Sequence, residues 1–196
     1  MIRLGLTGGY GTGKSTVTRM FSELGAPVLN ADDIVHTLLS HDRELIESIT
    51  EVLGQDIVDS EGAIDRKKVA DLVFDDKTSL VSLTNILYPV VRQHISRWFE
   101  KCDDEGEYRA AVAEVSMLIE GGALEFYDRI IVVIADPEVQ RMRCLANRTS
   151  ADDFDRRVRH QMPLDEKVCF ADYVIDNGGT LEDTRKQVLE VWRKLT

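Results

Sequence analysis

Apolar positions change their rhythm several times along the chain. Short unbroken apolar runs at residues 2–6, 26–32 ("APVLNAD"), 108–115 ("YRAAVAEV"), 128–136 ("DRIIVVIAD") and 171–177 ("ADYVIDN") predict strands. They are continuous rather than alternating, which fits a parallel sheet covered on both faces. Between the first two, Val17, Met20, Phe21 and Leu24 recur at helical spacing, and Gly25 supplies a stop. Pro137 opens another helix, and Leu181, Val188, Val191, Trp192 and Leu195 stripe a closing one. Strand, glycine loop, helix and strand at the start form a βαβ unit. The alternation as a whole predicts an α/β fold with a parallel sheet.

Residues 33–100 read differently. Leu80, Leu83 and Leu87 mark one face of a helix over 79–87, and Val91, Ile95, Trp98 and Phe99 form another helical stripe after Pro89. "DSEGAID" (59–65) is a turn, and no convincing central strand appears. The stretch is expected to be a helical insertion between the second and third strands.

Composition narrows the possibilities. The 196 residues, 43% hydrophobic, suit one domain, and no apolar run approaches the roughly 18 residues of a membrane span. Cys102, Cys144 and Cys169 are odd in number and lack a C-x-x-C pair, so three reduced thiols are expected. The start, "MIRLGL", has no signal-peptide pattern, which leaves the cytoplasm as the expected location. The net charge of −11 should repel nucleic acid and anionic membrane, so neither is expected as a partner. The expected state is a monomer or small homo-oligomer. Any phosphate chemistry needs positive charge concentrated locally.

"LTGGYGTGKSTV" supplies the chemistry. Gly8, Gly9, Tyr10, Gly11, Thr12, Gly13, Lys14 and Ser15 match G-x-x-x-x-G-K-[ST], with Thr16 following. Glycines let successive N–H groups turn into one anion-binding concavity, and the helix beginning near Lys14 adds its unpaired amides and dipole. Lys14 is expected on the β- and γ-phosphates of ATP, and Ser15 on Mg²⁺. The fold class is thus a P-loop NTPase-type three-layer α/β/α architecture with a helical insertion and a lid. G-x-G-x-x-G fails, because Lys14 or Thr16 stands where its last glycine belongs.

Guanine-nucleotide switches want N-K-x-D after a later strand, and "NADD" (30–33) lacks the lysine. A small-molecule kinase needs a carboxylate to take the acceptor's proton. Asp32 and Asp33, at the end of the second predicted strand, are candidates, with helix capping the competing role. Arg141, Arg143, Arg148, Arg156, Arg157 and Arg159 gather in residues 138–165, which could close as a lid; pairing with Asp152, Asp153 and Asp155 is the structural alternative. Arg143 and Arg148 are the candidates for phosphate contact. Glu114, ending its strand, could organise Mg²⁺ through water, and Glu120 could cap a helix or bind substrate. His36 and His94 are weak signals.

These segments together resemble the dephospho-coenzyme A kinase family nearly end to end. The glycine loop, "LGAPVLNADDIVH", "DRIIVVIADPEVQRMR" and "HQMPLDEKVCFADYVIDNGGTLEDT" carry the likeness, the last being the most specific. The resemblance implies ATP-dependent phosphorylation of the ribose 3′-hydroxyl of dephospho-coenzyme A. It implies Asp32 as base, Lys14 and Ser15 as nucleotide and metal contacts, Arg143 as a lid phosphate contact and Asn177 near the adenine. The chain departs from the family's usual pattern at Asn30, Tyr88 and the run 116–119. Another nucleotide or nucleoside kinase, an ATPase, and an ATP-binding regulator remain the alternatives.

Overall fold

The computed structural model describes residues 1–195. Five parallel strands, β1 (Ile2–Gly8), β2 (Val28–Asn30), β3 (Ala110–Glu114), β4 (Arg129–Ile134) and β5 (Tyr173–Asp176), form one sheet in the order β2-β3-β1-β4-β5. The carboxyl ends align in register: Leu6 and Asn30 stand opposite Glu114, Gly8 opposite Val133, and Ile134 opposite Asp176.

The continuous apolar strands have a direct cause. Ile131 and Val133 enter one buried cluster with Leu4, Leu6, Val17, Phe21, Val188 and Val191. Their neighbours Ile130 and Val132 enter another with Leu118 and Ile119, against which Tyr127, Met162 and Leu164 pack. Adjacent strand residues point to opposite faces, so two apolar layers demand an unbroken apolar run. Helices α1 (Lys14–Glu23) and α9 (Leu181–Lys194) supply the first layer. Leu181 does not take part in the closing stripe: at the first turn of α9 it is 61% exposed.

The chain separates into two compact units, one of Met1–Asn30 with residues 96–195, the other of Ala31–Ile95. The second unit holds α2 (Ala31–His41), α3 (Arg43–Leu53), α4 (Arg66–Asp75) and the first part of α5 (Lys77–Glu105). Asp42 caps α3 and Asp65 caps α4 through side-chain acceptance of first-turn N–H groups. The turn before α4 is held by Asp59 Oδ1, which accepts the N–H groups of Glu61 and Ala63.

Two further expectations change. The stripes on either side of Pro89 belong to one helix, α5, with the proline inside it. Proline removes one amide from the ladder and crowds the carbonyl four residues back, but the many remaining bonds of this 29-residue helix carry it through. The second strand is also shorter than its apolar run: β2 ends at Asn30 and α2 begins at Ala31. Asp32 and Asp33 therefore occupy the first turn of a helix, where acidic residues face the positive dipole end.

Candidate active site

The glycine loop leaves the carboxyl end of β1 and enters α1 at Lys14. Gly13 caps the helix with φ 86°, ψ 36°, a left-handed conformation. A Cβ on it would overlap Asn177 Nδ2, so both the torsion and the space require glycine. The loop is pinned from within by Thr12, whose Oγ1 donates to the Gly9 carbonyl at 2.9 Å. Asn177, 3% exposed at the end of β5, pins it from outside. Its Nδ2 donates to the Thr12 carbonyl at 2.7 Å, and its Oδ1 accepts from Thr184 Oγ1 at 3.0 Å. The amino end of α1, with its dipole, faces the loop and suits an anion.

Lys14 is buried, and its Nζ lies along the loop, 3.1 Å from the Gly9 carbonyl and 3.4 Å from that of Gly8. Ser15, one residue on, is exposed and donates its hydroxyl to Glu114 Oε1 at 2.8 Å. Glu114 is 5% exposed at the end of β3. This pair of hard oxygen donors fits Mg²⁺, with its remaining positions open to phosphate and water. Thr16 follows the loop and donates its N–H to Gly13.

Residues 138–165, expected as a lid, fall on α6 (Pro137–Ala146), α7 (Ala151–His160) and the start of α8 (Leu164–Val168). Asp136 and Ser150 cap the first two. Arg143 lies on the loop: one guanidinium nitrogen donates to the Asn177 carbonyl at 2.8 Å, another to that of Thr12 at 3.4 Å. Together with Gly11, Gly13, Thr16, Cys144 and Asn177 it lines a cavity of about 280 Å³. Burial pushes the Cys144 thiol up, against the opposing pull of Lys14, and keeps it protonated at neutral pH. Arg148 is exposed and sits at φ 65°, just beyond α6. Its N–H bonds the Leu145 carbonyl and the Thr149 N–H bonds that of Cys144, the terminal pattern in which glycine usually holds this position.

Other arginines of the cluster have structural partners. Arg141 pairs with Asp155 and stacks over Phe154, Arg157 pairs with Asp153 and stacks over Tyr10, and Arg159 donates to the Asp155 carbonyl. Tyr10 is in turn held by this segment, its N–H donating to Gln161 Oε1 at 2.8 Å and its ring 6.0 Å from that of Phe154. Glu120 caps no helix; it pairs with the fully buried Lys167 at 2.9 Å. Burial in an apolar cluster selects the nearest opposite charge as its partner. Asp32 belongs to the second unit and is exposed in the first turn of α2.

Sequence reasoning missed Thr184, Gln161 and Lys167 as partners of Asn177, Tyr10 and Glu120. Gln161 and Lys167 fall within "QMPLDEK", a run whose specificity was visible while its purpose was not.

A sequence profile of the dephospho-CoA kinases matches residues 2–183. The chain belongs to the dephospho-CoA kinase family. A dephospho-CoA kinase of Aquifex aeolicus is 43% identical over 196 residues, covering 100% of this chain and 98% of that protein. A Thermus thermophilus crystal structure superposes with TM-score 0.81 at 31% identity, covering 100% of this chain and 98% of that one. The dephospho-CoA kinase of Campylobacter jejuni gives 0.71 at 26% identity, with 98% and 96% covered. The fold described above is thus similar to that of a solved dephospho-CoA kinase.

Proposed function

We propose that this protein transfers the γ-phosphoryl group of ATP to the ribose 3′-hydroxyl of dephospho-coenzyme A, giving coenzyme A and ADP. The observation that carries the reading is the phosphate loop in which Ser15, beside Lys14, bonds the buried Glu114 carboxylate at 2.8 Å. Membership of the family supports the acceptor.

Main-chain amides of the loop and the start of α1 cradle the triphosphate. Lys14 exchanges the Gly8 and Gly9 carbonyls for the β- and γ-oxygens. Ser15 would hold Mg²⁺ directly and Glu114 through water; the ion would neutralise charge on the β- and γ-oxygens. Asp32 takes the proton of the 3′-hydroxyl. The new bond joins the 3′-oxygen to the γ-phosphorus as the bridge to the β-phosphate breaks, and the charge leaves on ADP. Arg143 and the exposed head of Arg148 contact the transferring phosphate. Residues 138–165 act as the lid that excludes water, which prevents futile hydrolysis. Residues 33–100 bind the acceptor, and Asn177 lies near the adenine. The setting is cytoplasmic, and the enzyme works as a monomer or small homo-oligomer. Among the described residues no helix is long and apolar enough to cross a membrane.

One assay tests the reading. Purified protein with Mg²⁺ and ATP is offered dephospho-coenzyme A, adenosine monophosphate or shikimate, and ADP release is followed. Release dependent on dephospho-coenzyme A is expected. Dependence on another acceptor, or on none, would overturn it in favour of a different kinase or an ATPase.

A further inference from the structure

Gln161 and the pair Glu120–Lys167 stand outside the chemistry above, yet a continuous set of bonds joins them to the phosphate loop. Gln161 follows α7 in an extended conformation, and its Oε1 takes the Tyr10 N–H at 2.8 Å. The next residue, Met162, donates its N–H to Glu120 Oε1 at 2.9 Å. The same oxygen takes Lys167 Nζ, also at 2.9 Å, and Lys167 donates further to the Ser116 carbonyl at 3.1 Å. Pro163 comes next and has no N–H, so the Met162 amide anchors this turn of chain to the body of the unit.

We infer that Gln161 is a positioning residue for phosphate transfer: it holds the Tyr10 turn of the loop, and Glu120 with Lys167 holds Gln161. Energetics favour placement over stabilisation as the role of the ion pair. Lys167 is fully buried, and Glu120 Oε2 is buried without a hydrogen bond among the described residues. A half-satisfied buried pair is a poor stabiliser. What it provides is an acceptor for Met162 N–H beside the apolar cluster of Leu118, Ile119 and Val132. Tyr10 otherwise touches this segment through its ring and hydroxyl, with Phe154, Arg157 and Thr149 around it. Among the described residues it is Gln161 that takes hold of its main chain, which shapes the loop.

The inference rests on the loop being the ATP site. Loss of one neutral hydrogen bond that orders the loop should weaken ATP about 3- to 10-fold. Gln161→Met keeps the length of the side chain and removes the acceptor. Expected are a 3- to 10-fold rise in KM for ATP and in its calorimetric Kd, an acceptor KM within about twofold, and a Tm within about 2 °C. The double variant Glu120→Leu/Lys167→Met removes both charges together and avoids an unpaired buried ammonium. It should raise the ATP constants similarly, and adding Gln161→Met to it should change little more, because both interrupt one chain of bonds. Unchanged ATP constants in Gln161→Met, equal rises for both substrates, or full additivity would overturn the inference. Gln161→Met decides by itself should the double variant not fold. The calorimetric Kd decides even if dephospho-coenzyme A proves not to be the acceptor, so the two readings fail separately.

Discussion

The glycine loop and the helical unit that carries Asp32 are built by different means. Around the loop, Gly13 is left-handed, the side chains of Thr12 and Asn177 pin carbonyls, and Lys14 and Glu114 are buried. Every one of these groups sits at the carboxyl end of a strand or the start of α1. Asp32 instead stands exposed on the first turn of α2, in a unit made almost wholly of helices. The shape of the loop thus rests on a left-handed glycine and on buried side chains that pin its carbonyls. Asp32 is a side chain on a helical frame, which substitution can alter without touching the sheet. The departures at Asn30, Tyr88 and 116–119 leave the loop's own motif intact.

The comparison can be broken most forcefully at Asp32. Asp32→Asn should lower kcat by about two to four orders of magnitude while the calorimetric Kd for ATP stays unchanged. Near-normal turnover would remove the base from the mechanism. Lys14→Ala should lower kcat about 100- to 1,000-fold with a normal circular dichroism spectrum, since a charge at the β,γ-oxygens is lost without a core contact. A normal rate would place the triphosphate elsewhere.

Gly13→Ala sharpens the backbone half of the contrast. The new methyl meets Asn177 Nδ2 in a left-handed residue, so a loss of about 2–3 kcal/mol and a fall in Tm of about 5–10 °C are expected, with weakened ATP binding. A Tm equal to wild type would show that the loop yields easily. Arg148→Gly is the smallest effect and separates two roles. Relief of the left-handed torsion at φ 65° should stabilise by about 0.5–1 kcal/mol, raising Tm by about 2 °C. Loss of the phosphate contact should lower kcat about tenfold. Retained kcat with raised Tm would leave that contact to Arg143.

Much of this molecule was legible before any coordinates. The unbroken run at 128–136 and its relatives announce a sheet buried on both faces, because two apolar layers leave no polar position on a strand. The spacing from Gly8 to Ser15 announces the anion site, because only that arrangement turns amides inward at a helix start. What stayed hidden depends on distance through space. Pro89 lies inside one long helix although local rules favour a break there, and Leu181 falls on an exposed turn. Glu120 finds Lys167, 47 positions later, and Gln161 finds Tyr10, 151 positions earlier.

Local chemistry thus determined the strands, the α1 stripe and the phosphate loop, because their causes act within a turn or a strand of chain. Tertiary structure decided that Arg143 and Arg157, of six arginines in residues 138–165, meet the loop, what Glu120 pairs with, and that a glutamine holds Tyr10. Those outcomes require partners that only folding brings within hydrogen-bond reach, and no periodicity along the chain records them.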